Sequence, residues 1–259
     1  MKAVLTYHSI DDSGSPISVH PSAFTRHVRW LASGQVKVTS LEDLLRLPPG
    51  SDAVAVTFDD GFENFSTQAA PLLIAHGLPA TLFVVTDRAG ATNAWDGHPH
   101  PRIPTMPLLG WAALERLAAS GIGIGAHGRT HRDLSRLDGA ALDDEIYGSA
   151  DQCRSRLGFA PAAFAYPYGR ISHAAAVRVS SAFACGCTTE LRTLDLPYDA
   201  ALLPRLDMYY FHQPQRLESW GTEAFARYVR LRRQARRAHA LLTRDGLRGL
   251  VDRACRVAH

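Results

Sequence analysis

The sequence predicts an α/β fold in which parallel strands, each followed by a helix, curve toward a barrel. Three observations carry that prediction. Short apolar runs recur along the chain, helical patterns of crossover length separate them, and the residues able to carry chemistry fall just after the runs. Apolar strands joined through helices pair in parallel by right-handed crossovers. About seven repeats of such a unit suggest a barrel-like arrangement, complete or not.

Strands are expected at residues 2–7, 53–58, 79–85, 122–126, 162–166, 182–188 and 202–207, each a short apolar stretch such as Ala53-Val54-Ala55-Val56. Helices are expected near 21–33, 65–76, 110–120, 139–157 and 172–180. Residues 88–107 break the alternation: they are rich in Gly, Pro, His and Asn around Trp95. A loop of that length in a compact domain is usually a lid or a binding loop. Beyond about Ser219 the pattern is helical again, through Phe225, Tyr228, Val229 and Leu231 to Leu250 and Val251, with Gly246 and Gly249 weakening it. The expected division is a catalytic domain over 1–215 and an Arg-rich helical extension over 216–259, packed on the barrel or flanking it.

At 259 residues the chain suffices for one large α/β domain. Its 46% hydrophobic and 20% charged content excludes a disordered or fibrous class. A formal charge of +3 says little about partners, but ten arginines lie between Arg227 and Arg256. That cluster reads as a solvated helix surface or as a contact for anionic head groups or a lipid-linked substrate. Nucleic acid has no reader motif to support it. Cys153, Cys185, Cys187 and Cys255 lack metal-finger spacing, and Cys185 and Cys187, two apart on a strand, read as structural thiols on one face. The N-terminal apolar run is shorter than the ~7–15 residues of a secretory leader, and no run approaches the ~18 of a membrane span. A cytoplasmic location is therefore expected, with association at the inner membrane face left open.

Asp59 and Asp60 stand together in Thr57-Phe58-Asp59-Asp60-Gly61, directly after a strand. Adjacent carboxylates at the mouth of a buried strand repel unless a cation offsets them, although Asp-Gly by itself also makes turns. His127 and His131 close another apolar run in His127-Gly128-Arg129-Thr130-His131, and at i, i+4 they share a face if the segment turns helically. Tyr166-Pro167-Tyr168-Gly169 follows a third strand and His8 the first. Parallel-strand folds keep active sites at the carboxyl ends of their strands. The joint pattern points to a divalent ion held by Asp and two His, with a position open for water. One carboxylate then binds the ion while its neighbour accepts a proton.

These segments resemble the motifs of the polysaccharide deacetylase superfamily, also called the NodB homology domain or carbohydrate esterase family 4. Thr57–Gly61 is similar to its first motif, His127–His131 with Asp133-Leu134 to its second, and Phe164-Ala165-Tyr166-Pro167-Tyr168-Gly169 to its third. The resemblance runs from the N-terminal strand to about Arg205. It implies a distorted (β/α)7-type barrel and metal-dependent hydrolysis of an amide. Asp59 would be the base, and Asp60, His127 and His131 would bind Zn2+, or Co2+, Ni2+ or Fe2+. The ion would polarise the acetyl carbonyl and activate water, and the backbone N–H of Tyr168 would help hold the oxyanion. Trp95, Trp111 and Tyr168 are candidates for a sugar-stacking platform, and Tyr166 and Pro167 for further substrate contacts. His98 and His100 read as solvated loop residues.

Two departures from the family pattern matter. Where the third motif often carries an arginine that orients the base, this chain has Ala165, and Arg205 in Leu203-Pro204-Arg205-Leu206-Asp207 is the candidate substitute. The C-terminal Leu-x-His element that usually supplies the acid is absent. A subgroup resembling the poly-N-acetylglucosamine deacetylases takes that histidine from the first strand, which assigns the acid to His8, with His212 as the rival. An imidazole of ordinary pKa, near ~6.5, suits protonation of a leaving amine. The expected activity is N-deacetylation of an amino sugar, whether polymer, lipid-linked saccharide or small glycoside. Another amide, an O-acetyl ester, or a silent carbohydrate-binding relative are the alternatives.

Overall fold

A computed structural model describes residues 1–95 and 97–256, with side chains described as far as His239. The first strand, β1 (Lys2–Tyr7), is buried along its whole length. Two-residue strands β2 (Ser9–Ile10) and β3 (Ser18–Val19) pair in parallel across the loop that follows. Helix α1 (Pro21–Ala32) starts on a proline, whose missing N–H would be unpaired there anyway. β4 (Lys37–Val38) and α2 (Leu41–Arg46) precede β5 (Ala53–Phe58), and the Ser40 side chain caps α2 by accepting from Asp43 N–H. A π-helical turn, Phe65–Ala69, runs into α3 (Ala70–Ala75) before β6 (Ala80–Val84). Next come α4 (Trp111–Ala119), β7 (Gly123–Ala126) and α5 (Gly139–Asp143). A second π-helical turn, Asp144–Gly148, joins α5 to α6 (Ser149–Leu157). β8 (Ala163–Ala165), α7 (His173–Ala182), β9 (Cys185–Cys187), β10 (Leu206–Asp207) and α8 (Pro214–Glu218) complete the series.

The main strands form one parallel sheet in the order β10-β1-β5-β6-β7-β8-β9, with β4 beside the start of β5. Residues 203–206 reach both of its ends, since Leu203 bridges Cys187 of β9 and Leu206 pairs with Leu5 of β1. The sheet curls into a half-barrel ringed by helices, the distorted (β/α)7-type architecture that the sequence predicts. The last predicted strand, 202–207, is reduced to Leu206–Asp207: Leu202 ends a 3-10 helix and Leu203 forms an isolated bridge to Cys187.

Successive strand residues point to opposite faces. Val4, Ala53, Ala55, Phe83, Ala163, Ala165, Cys185 and Cys187 accordingly gather in one buried cluster. Most of them are small, which leaves room for Phe83. Gly125 is part of that fit, because a Cβ there would lie 2.4 Å from the Phe83 ring. Cys185 and Cys187 are buried free thiols in the same cluster, and burial pushes the Cys187 thiol up to about 12. A second cluster, including Leu134, Leu142, Ile146, Phe164, Val179 and Phe183, packs α5, α6 and α7 on the sheet. Each such Leu or Phe contributes about 1.5–3 kcal/mol when fully buried.

Below the first strand's end, Tyr7 Oη donates to His27 Nδ1 (3.1 Å) and His27 Nε2–H donates to the Phe211 carbonyl (2.9 Å). Burial lowers the His27 pKa to about 4 from 6.5. Between those values the unfolded chain holds a proton that the folded one does not, so stability is present above pH 6.5 and falls as pH drops toward 4. The shift corresponds to about 3 kcal/mol. The wild-type chain is expected to lose that much more stability over this window than His27→Gln, by denaturant titration at each pH. Parallel curves for the two proteins would refute the assignment.

The contacts divide the chain into two compact units, Met1–Glu218 and Ser219–His259. Within the second, α9 (Glu223–Arg256) is continuous, including through Gly246 and Gly249. Arg244, Arg248, Arg253, Arg256 and Cys255 lie outside the described side chains. Among the described residues no helix is long and apolar enough to cross a membrane.

Candidate active site

The carboxyl ends of the strands open into a cavity of about 220 Å3 lined by His8, Asp59, Asp60, His127, His131, Tyr166, Tyr168 and Thr189. Trp95, Asn93, His100 and Ile103 from the 88–107 loop and Ile17 from the β2–β3 loop complete the walls. Among the described residues, the non-glycine ones with positive φ are Asp60 (71°), His131 (66°) and Tyr168 (59°), and all three line this cavity. Left-handed backbone costs such residues on the order of 1–3 kcal/mol each, and strain of this kind collects at functional sites.

Asp59 follows β5 and is buried against Arg205, which is 1% exposed. Arg205 Nη1 and Nη2 donate to Asp59 Oδ1 and Oδ2, each at 2.7 Å, while its Nε donates to the Thr188 carbonyl at 2.8 Å. Burial alone would raise the Asp59 pKa, but the guanidinium, with the His127 and His8 imidazoles, keeps the carboxyl below its ordinary value. On the solvent side, His8 Nε2 lies 3.8 Å from Asp59 Oδ2, with the His8 side chain 23% exposed.

Asp60 faces the two other histidines. Its Oδ1 lies 3.4 Å from His127 Nε2 and 3.3 Å from His131 Nε2. The three ligand atoms fall within 4.8 Å of one another, and all three residues are buried. His127 Nδ1–H donates to the Ala165 carbonyl at 2.7 Å, which leaves Nε2 with the lone pair. Asp60 Oδ1 and His131 Nδ1 have no hydrogen-bond partner although both are buried. Buried polar atoms are nearly always paired, and a cation among one carboxylate oxygen and two imidazole nitrogens would answer the carboxylate's deficit. The residues present therefore fit a divalent ion, and Asp, His, His is a donor set that suits zinc and its neighbours. Against burial, the two imidazoles hold the Asp60 carboxyl well below the usual range.

The His127–His131 segment is not helical, contrary to the expected shared helix face. Gly128 (φ 76°) and His131 turn the chain back on itself instead, and that bend brings the rings to 4.9 Å. Tyr166–Gly169 forms a tight turn closed by Gly169 N–H donating to Tyr166 O at 2.9 Å. Pro167 takes the position that wants φ near −60°, and Tyr168 (φ 59°, ψ 0°) takes the one glycine usually fills.

The residues expected to contact substrate are placed as follows. Pro167 is buried behind the turn and does not line the cavity, because its ring shapes the backbone there. Tyr166 contributes a wall, but its hydroxyl donates to the Ala201 carbonyl at 2.9 Å. Trp95 lines the cavity stacked on the His131 ring (4.2 Å, 29°), and Tyr168 meets the same ring edge-on at 4.5 Å. Trp111 opens α4 and is not among the lining residues, whereas His100, read as a solvated loop residue, is. His212 also lies outside the lining, with its carbonyl accepting from Arg26. Ile17, Ile103 and Thr189 were not foreseen, since isolated loop residues carry no periodic signal.

This half-barrel of parallel strands is a fold shared with solved deacetylases. The sequence profile of the family named Polysaccharide deacetylase matches residues 46–184, just over half of the chain. The chain belongs to that family. It is 26% identical over 232 residues to YxkH of Bacillus subtilis, covering 87% of this chain and 75% of that protein. It is 33% identical over 82 residues to the poly-beta-1,6-N-acetyl-D-glucosamine N-deacetylase of Staphylococcus aureus, covering 29% of this chain and 28% of that one. Among solved structures, the Streptococcus pyogenes deacetylase PplD superposes with a TM-score of 0.73 at 21% identity, covering 84% of this chain and 96% of that one.

Proposed function

We propose that the protein removes the acetyl group from the nitrogen of an amino sugar, using a divalent cation held by Asp60, His127 and His131. The observation that carries this reading is the buried Asp59 carboxylate, fixed by two guanidinium bonds immediately beside a three-residue ligand cluster. A carboxylate so placed stays ionised at neutral pH and is the proton acceptor. When bound, the cation supplies Lewis acidity toward the acetyl carbonyl and the attacking water. Asp59 removes the proton from that water, and Arg205 keeps both carboxylate oxygens in place while it does so. The Tyr168 N–H, in the turn on the cavity wall, stabilises the developing oxyanion. His8, whose Nε2 lies 3.8 Å from Asp59 Oδ2 on the cavity wall, delivers a proton to the departing amine. The cavity is smaller than the ~300–1,000 Å3 of sites that enclose drug-sized ligands, which suits one acetylated sugar at a time.

The test is to load apo protein with Zn2+ or Co2+, add N-acetylglucosamine oligomers, and measure free amine. Amine release that disappears with a chelator and returns with the ion is the expected result. Acetate release from O-acetyl sugars without any amine would favour esterase chemistry. Metal binding with no hydrolysis of either substrate would favour a silent binder. In the same assay His8→Ala is expected to lower kcat about 10²–10⁴-fold with metal content unchanged. Wild-type turnover in that variant would remove His8 from the mechanism.

A further inference from the structure

We propose that Glu145 is a positioning residue for the cation site: it clasps the backbone before His131 and so determines where that imidazole stands. The inference rests on the reading that Asp60, His127 and His131 hold a cation. Glu145 is 2% exposed, and among the described residues it forms no ion pair. Its carboxylate instead accepts from the loop: Oε2 from Arg129 N–H (2.9 Å) and Thr130 N–H (3.1 Å), and Oε1 from the Thr130 hydroxyl. Three donors on one buried carboxylate make a strong, directional grip. It acts on the two residues between the bend at Gly128 and the left-handed His131.

His131 has particular need of such support. A metal-ligating histidine ordinarily donates its second ring nitrogen to a carboxylate or carbonyl, which fixes the ring. His127 does so, to the Ala165 carbonyl. His131 Nδ1 has no partner, so its placement rests on its backbone and on the rings of Trp95 and Tyr168 packed against it. The fold presents Glu145 through the π-helical turn Asp144–Gly148, a widened register that is often found at functional sites. Gly128 completes the fit, because a Cβ there would come within 2.8 Å of Glu145 Oε2. Arg129 braces the same loop from outside, pairing with Asp87 (2.8 Å) and with Asp144.

The experiment titrates Co2+ into the apo full-length chain and follows both affinity and the visible Co2+ absorption band, with the melting temperature of each apo protein measured alongside. Glu145→Ala is expected to weaken Co2+ binding about 10–100-fold and to alter the band, the size typical for lost support behind a ligand. Glu145→Gln, which keeps an oxygen for the two N–H groups and can still pair with Thr130, is expected to recover most of that loss. Thr130→Val, which removes one of the three bonds and guards against misfolding of the alanine variant, is expected to weaken binding about fivefold. A lowered apo melting temperature with wild-type Co2+ affinity and band in the variants would make Glu145 merely structural and overturn the proposal. If the wild-type chain itself binds no Co2+, the cation site falls, and the clasp's role falls with it.

Discussion

Replacing Arg205 with methionine is expected to destabilise the fold by about 3–5 kcal/mol, the cost of removing one partner from a buried ion pair. Methionine can follow the path of the arginine stem beside Phe83, over whose ring the guanidinium lies at 5.8 Å. It cannot answer Asp59, which would lose both guanidinium donors. The Asp59 carboxyl pKa should then rise, since the guanidinium is the foremost influence opposing burial there. Adding Asp59→Leu to Arg205→Met removes the stranded charge and should restore much of the stability. Arg205→Lys should fall between, because a single ammonium cannot reproduce the two-pronged contact. Denaturant unfolding of the single and double variants measures the coupling. A loss below about 1 kcal/mol, the scale of solvated surface pairs, would show that this pair is not sealed from water.

Asp59→Asn is expected to lower kcat about 10²–10⁴-fold, the usual worth of a positioned proton acceptor, without loss of the bound ion. The amide is isosteric but cannot take a proton from water, and the residues that could hold the ion are Asp60, His127 and His131. Asp60→Asn should do the opposite to the ion: metal content falls, because the charged oxygen facing both imidazoles is gone. Two neighbouring carboxylates thus predict two separable phenotypes. Metal analysis and steady-state kinetics on the pair decide the matter. Retained turnover in Asp59→Asn, or loss of metal from it, would reverse the roles.

The long strands were legible because their cause is local. Residues 2–7 and 53–58 are mostly apolar and are buried on both faces, and β1 and β5 begin and end there. The short elements were not, since β2, β3 and β4 hold two residues each and exist only because a neighbouring strand supplies their hydrogen bonds. The Asp59-Asp60 and His127/His131 pairs were legible as chemistry. The rule that pairs His127 with His131 on a helix led to the wrong local geometry, although the two rings do meet. Positive φ at a histidine is costly, and the bonds from Arg129 and Thr130 N–H to Glu145 that immediately precede it come from a distant part of the chain. Trp95 was legible as an unusual loop residue, but its seat against His131 follows from the path of the 88–107 loop, which no periodicity describes.

From composition and pattern alone came the alternation of strand and helix, the strand ends where the carboxylates and imidazoles sit, and the kind of chemistry they can do. Those features depend on residues close together in the chain. Closure of the sheet decided the rest. Arg205 reaches Asp59 across 146 positions because Leu206 lies beside Leu5, and Leu5 beside Val56. A π-turn in the helical stretch before β8 sets Glu145 under the histidine loop. Such partners meet only after the backbone has curled, so the energy that holds them is absent from any local stretch of sequence.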